Sequence, residues 1–494
     1  MKAVLLALAG AVLSVAAFPP FGPGFLILPG IGLFLAAIRV VGTRMQGLWI
    51  GLLYGSAFFA GLMWWLSELE LIALILIPVQ GLFYAVLSWW LAGHRAAGSG
   101  RWLIMAVGGW AVMELVRYHF PFGGLEWGAA GYALSDSLSL RLPAAVVGTS
   151  GLTILVAMMG GVAAIAITDG YHHRVMTGSA LVITCVFVAT VPTVLSHVDG
   201  LEVPVAIVQG STPCPFQHCP PNERLRTYQQ HLELTRSIEP GSVSLVVWPE
   251  GSTGSTNADP VLNEEVREFI GAEARRIGAP FLVGGDRTIS DIEWINANVF
   301  FDARGQIVGE YRKQHPVPFG EYVPLRPVFE WIPALDRVPR DMIRGEGPAI
   351  FDVFGDQLGS VISYEGGFSR YPLETRRAGA NVIVVNTNNA SYGLTPATDI
   401  WVGMTRMRAV ELGVPVIHAA VTGRSTLIDT RGDLGAITGV GTQEVLYGSY
   451  GPSMSTPYRV TGDLLMYLAA LIGMVTWARP PALVGSAPGP LQEE

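Results

Sequence analysis

Long apolar runs separated by short polar stretches fill the first 195 residues, and one more apolar run lies near the carboxyl end. Several of the runs reach the ~20 residues that a helix needs to cross a bilayer. Eight are found, at residues 3–18, 24–38, 47–66, 71–92, 102–116, 143–168, 176–195 and 460–477. They predict a polytopic α-helical membrane domain of eight spans, with seven helices in residues 1–196 and the eighth at 459–478.

The first run, which Pro19-Pro20 interrupts, could instead be a cleavable signal peptide. Because further apolar runs follow it directly, the membrane interpretation is preferred.

From Leu201 the pattern changes to short β-branched runs that alternate with helical stretches. Helices are predicted at 223–238, 263–277 and 398–412. Strands are predicted at 203–209, 244–250, 280–285, 298–302, 307–311, 357–362, 381–386, 414–420 and 425–428, where the series closes. Continuous apolar strands between helices are typical of an α/β domain with helix-covered sheets. We expect this domain to occupy residues 197–458.

The composition agrees with a membrane protein and excludes one class of partner. Half of the residues are hydrophobic, only 14% are charged, and the mean hydropathy is +0.42. Most acidic residues lie between about 200 and 445, so the apolar and polar parts are separate units. A net charge of −8 without a basic run argues against nucleic acid as a partner.

Basic residues next to the apolar runs indicate the orientation, because they favour the cytoplasmic side. The residues on that side are Lys2, Arg39, Arg44, Arg95, Arg101, Arg174 and Arg479. Arg117 and Arg141 are exceptions. The prediction is cytoplasmic termini, an extracytoplasmic domain at 197–458 and a cytoplasmic tail at 479–494. The stretch 118–142 is too polar to span and is either a packed outer loop or an interfacial segment that contacts lipid.

The chain has three cysteines. Cys185 lies in an apolar run and is expected to be inert packing. Cys214 and Cys219 lie in a Pro-rich loop, where a metal would need two further ligands that are not evident nearby. If this loop is extracytoplasmic, a disulfide is the simpler interpretation.

Reactive side chains follow three of the predicted strands. Glu250, Lys313 and Ser363 each come at or just after the end of an apolar run. Acyl transfer needs a base, a positive group for the oxyanion and a nucleophile, and these residues could supply them in that order. Taken singly, Glu250 could cap a helix, Lys313 could be a surface cation, and Ser363 could end a buried strand at a polar turn.

Taken together, residues 201–445 resemble the carbon–nitrogen hydrolase (nitrilase) superfamily, whose α-β-β-α sandwich carries a Glu-Lys-Cys triad. An inserted domain of this kind before the last of eight spans resembles the apolipoprotein N-acyltransferase family of the bacterial cytoplasmic (inner) membrane. The matching motifs are Val247-Trp248-Pro249-Glu250, Tyr311-Arg312-Lys313, Pro318-Phe319-Gly320-Glu321-Tyr322-Val323-Pro324, Ile362-Ser363-Tyr364-Glu365, Asn386-Thr387-Asn388-Asn389 and the stretch Thr405–Gly413.

The resemblance implies a role for each matching residue. Glu250 is the general base and Lys313 the oxyanion stabiliser. Glu321 and Glu365 match further acidic residues of the site, and Tyr364 matches the aromatic residue beside the nucleophile. The implied reaction is ping-pong transfer of an acyl chain from a phospholipid, through an acyl-enzyme, to the N-terminal amine of a diacylglyceryl-cysteine lipoprotein. No cofactor or metal is implied.

The chain departs from the family at its centre, because Ser363 stands where the family has its nucleophilic Cys. A thiol has a pKa of about 8.5, whereas a hydroxyl is a far weaker acid and depends on a well-placed base. Three interpretations follow. The chain is an inactivated Cys-to-Ser form, an acyltransferase that uses Ser363 on another lipid acceptor, or a catalytically dead membrane-anchored partner that binds lipid or serves as a scaffold.

Overall fold

The computed structural model describes residues 1–170, 172–195, 200–214, 221–254 and 256–478. Within these residues, eight apolar helices coincide with the eight predicted runs. They are Lys2–Ala16, Ile27–Val40, Arg44–Met63, Leu76–Ala92, Ser99–His119, Ala144–Asp169, His173–Leu195 and Leu464–Ala478. The predicted tail at 479–494 lies outside the described residues.

Not every apolar helix has the length and composition of a membrane span. Among the described residues, four helical segments do: Arg44–Met63, Leu71–Ala92, Ala144–Asp169 and His173–Thr190. Lys2–Ala16 and Leu464–Ala478 are apolar but shorter. The count of eight spans, and with it the orientation, therefore stays a prediction.

Small residues let the apolar helices approach one another closely. A Cβ atom on Gly108 would lie 2.3 Å from the Cα of Gly473, and one on Gly47 would lie 2.7 Å from the carbonyl oxygen of Ser88. Close backbone approach at glycine is the usual way in which helices pack where burial of apolar surface does not drive association. The last helix thus joins the bundle that the amino-terminal helices form, although about 270 residues separate them in the chain.

The polar domain contains two β-sheets, one of seven strands and one of six. In one sheet the order is β13-β1-β2-β3-β4-β5, with β6 paired to β4, and in the other it is β12-β11-β10-β9-β8-β7. The strands are β1 Val203–Gln209, β2 Leu245–Trp248, β3 Phe281–Thr288, β4 Glu293–Phe301, β5 Ile307–Arg312, β6 Asp341–Met342, β7 Ile350–Val353, β8 Asp356–Ile362, β9 Val382–Thr387, β10 Val416–Ala420, β11 Thr426–Ile428, β12 Leu434–Ile437 and β13 Glu444–Tyr450.

The sheets face each other across an apolar core that includes Val247, Leu282, Ile362 and Val384. Helices cover both outer faces, as the predicted α-β-β-α sandwich requires. Pro221–Arg236 and Glu264–Ile277 pack on the first sheet, and Arg370–Arg377 and Ala397–Leu412 pack on the second.

Helix Ala397–Leu412 joins the two parts of the molecule. Its Ala409 and Leu412 pack with the second sheet, whereas Trp401 and Met404 belong to the core of the apolar bundle. Apolar side chains all around a helix are expected where both of its sides are buried. The sandwich therefore rests on the bundle through this helix.

The prediction that the strand series closes at residue 428 is wrong. β12 and β13 follow it, and β13 runs antiparallel to β1 from Val203 paired with Tyr450 to Gln209 paired with Glu444. All four residues of β12 are exposed, and in β13 only Leu446 and Tyr450 are buried. Neither strand has the continuous apolar run by which the inner strands were recognised. β7 was also missed.

Most of the stretch 118–142 is packed against other parts of the protein, which favours the packed loop over the interfacial segment that contacts lipid. Leu125 to Ser135 are buried between the bundle and helix Ala397–Leu412, and residues Ala130–Asp136 form a 3-10 helix. Phe120 remains 64% exposed.

The cysteines differ from the expectation at one position. Cys185 is free and exposed, not packed. Only 11% of the helical segment His173–Thr190, in which it lies, is buried. Cys214 is in a disulfide. Cys219, its predicted partner, lies outside the described residues.

Candidate active site

Glu250 lies in the turn that follows β2 and is only 6% exposed. One of its carboxylate oxygens, Oε1, accepts a hydrogen bond from Asn296 Nδ2 at 2.7 Å and another from Lys313 Nζ at 3.3 Å. A buried carboxylate needs such donors. Glu250 is therefore neither a surface charge nor a helix cap.

Lys313 follows β5 directly, and its side chain is 1% exposed. Its Nζ donates to Glu321 Oε1 at 2.6 Å as well as to Glu250. Burial by itself would lower the pKa of Lys313, but the carboxylates of Glu321 and Glu250 outweigh burial and hold it above its ordinary value. A charged ammonium is thus buried between two carboxylates.

Glu321 lies in the loop between β5 and β6. Its second oxygen, Oε2, accepts from the backbone N–H of Val317 at 2.7 Å, so the loop folds back over Lys313. Burial, only partly offset by Lys313, raises the pKa of Glu321, and the Glu250 carboxylate adds to that rise. Two carboxylates therefore lie next to one ammonium in this buried site.

Ser363 follows β8, in the first position of the turn Ser363–Gly367. Ile362 pairs with Asn386 of β9, and Asn386 Nδ2 donates to the carbonyl oxygen of Trp248 at 3.2 Å. This bond joins the two sheets where β2 and β8 end. It brings the Ser363 turn and the Glu250 turn to the same end of the sandwich.

The backbone of Ser363 is unusual, with φ at 48°. A non-glycine residue in this left-handed region costs energy and persists only where its surroundings over-determine it. A strained residue at a sharp turn after a strand is also how several hydrolases expose a nucleophile. Ser363 is half-buried.

Glu365 is fully buried and holds the turn in place. Its Oε2 accepts from the backbone N–H of Ile362 at 2.7 Å and from the Tyr311 hydroxyl at 2.7 Å. Its Oε1 accepts from the backbone N–H groups of Gln314 and His315, the latter at 3.0 Å. One carboxylate thereby ties the residue before Ser363 to the residues after Lys313.

Glu365→Gln is expected to lower the stability of the protein. All four partners of Glu365 are donors, so an amide nitrogen in place of either oxygen would face two N–H or O–H groups that it cannot accept from. The loss of charge-assisted bonds predicts a fall of about 2 kcal/mol and roughly 5 °C in the thermal unfolding midpoint. The control is Glu374→Gln, at an exposed position; equal midpoints for the two variants would contradict this role.

Tyr364 points towards the apolar bundle. Its hydroxyl donates to the carbonyl oxygen of Gly124 at 2.9 Å, and its ring lies 5.1 Å from that of His315 and 4.8 Å from that of Phe368. The residue after Ser363 therefore contacts a segment that precedes the polar domain in the chain. This contact places the turn beside the bundle.

Two buried amides that support the site, Asn296 and Asn298, were not predicted from the sequence. Asn296 orients Glu250, and Asn298 donates to Ser360 Oγ at 2.7 Å and accepts from Asn386 at 3.1 Å. All three asparagines are buried. Polar side chains at alternate positions of an otherwise apolar strand are a usable signal, because buried amides must find partners.

The assembled groups suit acyl transfer. A buried carboxylate, a charged ammonium and a half-buried serine lie at one end of the sandwich. The carboxylate can take a proton, the hydroxyl can attack a carbonyl carbon, and the ammonium can stabilise the oxyanion.

Comparison with known sequences agrees with both halves of the chain. The profile of the carbon–nitrogen hydrolase family matches residues 204–459, and that of the apolipoprotein N-acyltransferase N-terminal domain matches residues 10–162. A protein of Methylococcus capsulatus called apolipoprotein N-acyltransferase is 30% identical over 94% of this chain and 93% of its own length. The chain belongs to the apolipoprotein N-acyltransferase family.

Other relatives of the apolipoprotein N-acyltransferase family cover the chain equally well. A protein of that name from Nitrosomonas europaea is 28% identical over 95% of this chain and 96% of its own length. Among solved structures, an amidase from Nesterenkonia sp. covers 55% of this chain and 97% of its own at 15% identity, with a TM-score of 0.40. Membership of the apolipoprotein N-acyltransferase family makes this chain an acyltransferase of lipoprotein biosynthesis.

Proposed function

We propose that this enzyme moves the sn-1 acyl chain of a phospholipid to the N-terminal amine of a diacylglyceryl-cysteine lipoprotein, through an ester on Ser363. The observation that carries the proposal is the buried pair of Glu250 and Lys313 at the end of the sandwich where Ser363 lies. Such a pair would let a hydroxyl act where the family uses a thiol, because the hydroxyl needs a base that is already in place.

The first half-reaction forms the acyl-enzyme. Glu250 takes the proton of the Ser363 hydroxyl while Oγ attacks the carbonyl carbon of the ester, and Lys313 stabilises the oxyanion. The tetrahedral intermediate collapses with loss of the glycerol oxygen. That oxygen receives the proton from Glu250, and a lysophospholipid leaves.

The second half-reaction releases the acyl chain as an amide. The lipoprotein amine attacks the ester carbonyl of acyl-Ser363, and Glu250 accepts a proton from the amine nitrogen. The carbon–nitrogen bond forms and the bond to Ser363 Oγ breaks. Glu250 then returns the proton to Ser363, which restores the free enzyme for another phospholipid.

The position of the site beside the bundle supports two lipid substrates. Tyr364 contacts Gly124, and helix Ala397–Leu412 packs between the second sheet and the apolar helices. We place residues 1–196 and 459–478 in the bacterial inner membrane and residues 197–458 outside it. The disulfide of Cys214 supports an oxidising compartment for this domain.

The acyl-enzyme tests the proposal directly. The protein is incubated in vesicles of phosphatidylethanolamine that carries a labelled sn-1 chain, and the peptide containing residue 363 is weighed by mass spectrometry. We expect a gain of one acyl mass on Ser363, and formation about tenfold faster in Ser363→Cys, since a thiol ionises more readily than a hydroxyl.

The other outcomes separate the remaining interpretations. An adduct in Ser363→Cys without one on Ser363 would identify the chain as an inactivated form. No adduct in either would overturn acyl transfer and favour a lipid-binding or scaffolding partner. If the ester forms but a diacylglyceryl-cysteine peptide gains no amide-linked acyl chain, the acceptor is a different lipid.

A further inference from the structure

The segment 118–127, which begins in the last turn of helix Ser99–His119, is held in place by hydrogen bonds from that helix. Arg117 donates from Nη1 to the carbonyl oxygens of Leu125 at 2.9 Å and Trp127 at 2.7 Å. Its other nitrogens, Nε and Nη2, donate to Glu114 at 2.8 and 2.6 Å, and both side chains are fully buried. Segment 118–127 therefore has a fixed position relative to the apolar helices.

This segment also binds the residues that follow Ser363. Tyr364 donates to the carbonyl oxygen of Gly124, as described above. Arg370 donates to the carbonyl oxygens of Tyr118 at 2.9 Å and Gly123 at 2.8 Å. The turn is thus attached to the bundle at both of its ends.

The side chain of Glu126 adds further bonds between segment 118–127 and the residues that follow the turn. It is 5% exposed, and both of its oxygens accept from the backbone N–H of Ser369 at 3.1 Å. Its Oε2 also accepts from Ser369 Oγ at 3.0 Å. The Tyr132 hydroxyl lies 3.1 Å from Glu126 Oε2 and 3.0 Å from the carbonyl oxygen of Gly367, so it can donate to either one.

We propose that Glu126 is a positioning residue for acyl transfer: by anchoring Ser369 to segment 118–127 it keeps the Ser363 hydroxyl aligned with Glu250 and Lys313. This role rests on the proposed function of Ser363 as the nucleophile. Glu365 ties the start of the turn to β5 and its following loop, and Glu126 ties its end to the bundle. Two such anchors are what a residue held at a positive φ requires.

The burial of Glu126 predicts that its loss affects the reaction rate and not substrate binding. Because Glu126 is enclosed by protein groups, it does not contact substrate, and its loss should lower the rate at residue 363 without weakening lipid binding. A small misplacement of a reacting group can cost as much as about 10²-fold in rate.

The test measures the reactivity of residue 363 itself, in Ser363→Cys as the parent. The alkylation rate of the introduced thiol by iodoacetamide is followed across the pH range by mass spectrometry, with a free cysteine peptide in the same solution as the reference thiol. Adding Glu126→Leu is expected to slow alkylation about tenfold and to move its pH profile, because the thiol leaves its place beside Lys313. Glu126→Gln, which keeps an oxygen for Ser369, should restore the rate to within about threefold of the parent.

Asp259→Leu is the matched control. Asp259 is also buried and pairs with Arg287 of β3 in the first sheet, whereas the Ser363 turn follows a strand of the second sheet. We expect this variant to alkylate at the parental rate. An equal loss in Asp259→Leu, or a parental rate and pH profile in Glu126→Leu, would overturn the proposal.

If Glu126→Leu does not fold, Tyr132→Phe takes its place, because it removes the hydroxyl shared by Glu126 and Gly367 and keeps the ring. A slower, pH-shifted alkylation supports the proposal, and a parental rate and profile overturn it. Alkylation needs no phospholipid, so these results do not depend on acyl transfer. Failure of the proposed function would show only in the acyl-mass experiment.

Discussion

Glu250→Gln is expected to slow acyl-enzyme formation at residue 363 by about 10³-fold, with little change in the KM for phospholipid. The amide oxygen of glutamine can still accept from Asn296 and Lys313, so the substitution preserves the two bonds that hold the side chain. What it removes is the ability to take a proton. We therefore expect the rate of the chemical step to fall while phospholipid binding is retained.

The measurement is the initial rate of acyl incorporation into the residue 363 peptide, with phospholipid concentration varied. Glu265→Gln, at an exposed position of helix Glu264–Ile277, is the control and should react at the wild-type rate. A Glu250→Gln enzyme that retained its rate to within about threefold would exclude Glu250 as the general base. A raised KM at constant kcat would instead assign it to substrate binding.

Lys313→Met should abolish most activity and also destabilise the fold. Methionine fills a similar volume, but Glu250 and Glu321 then share a buried site without a cation. Loss of oxyanion stabilisation predicts a fall of about 10³-fold in acylation. Two uncompensated carboxylates predict a loss of about 3 kcal/mol in the free energy of unfolding.

The destabilisation should depend on pH in a defined direction. Lys313 lowers the pKa of Glu321, so its removal raises that pKa further above the ordinary value for glutamate. The folded variant then binds more protons than the unfolded chain, and its stability falls as pH rises from about 5 to about 8. Thermal unfolding at those two pH values, compared with the wild type, tests the sign.

The chain offers a natural control for this substitution. Of its 31 basic residues, Lys2 and Lys313 are the only lysines, and Lys2 is exposed. Lys2→Met should leave both acylation and the unfolding midpoint unchanged. Acylation by Lys313→Met at the wild-type rate would show that the ammonium does not stabilise the oxyanion.

Much of the architecture could be read from local patterns. Apolar runs located the eight helices, and continuous β-branched runs located the inner strands β1, β2, β8 and β9. Such patterns work because a fully buried element has apolar side chains all along its length. They failed at β12 and β13, which lie at the edges of the two sheets and have few buried residues, so that neither has a continuous apolar run.

The site was predictable in part for the same reason. Glu250, Lys313 and Ser363 stood out because each comes at or just after the end of an apolar run, although their strands are not neighbours: β2 and β5 lie apart in one sheet and β8 lies in the other. The hydrogen-bond and ion-pair partners of these side chains could not be predicted from the sequence. The pairing of Lys313 with Glu321 and the four donors around Glu365 depend on how two loops fold over the sheet ends.

The sequence alone determined the kinds of element, the separation of apolar and polar halves, and the three residues at strand ends, since these properties repeat over short stretches of chain. Only the tertiary structure decided how the halves meet. Glu126 and Ser369 are 243 residues apart, and Tyr364 is 240 residues from Gly124. Contacts over such separations depend on the packing of whole helices and sheets, so no local pattern carries them.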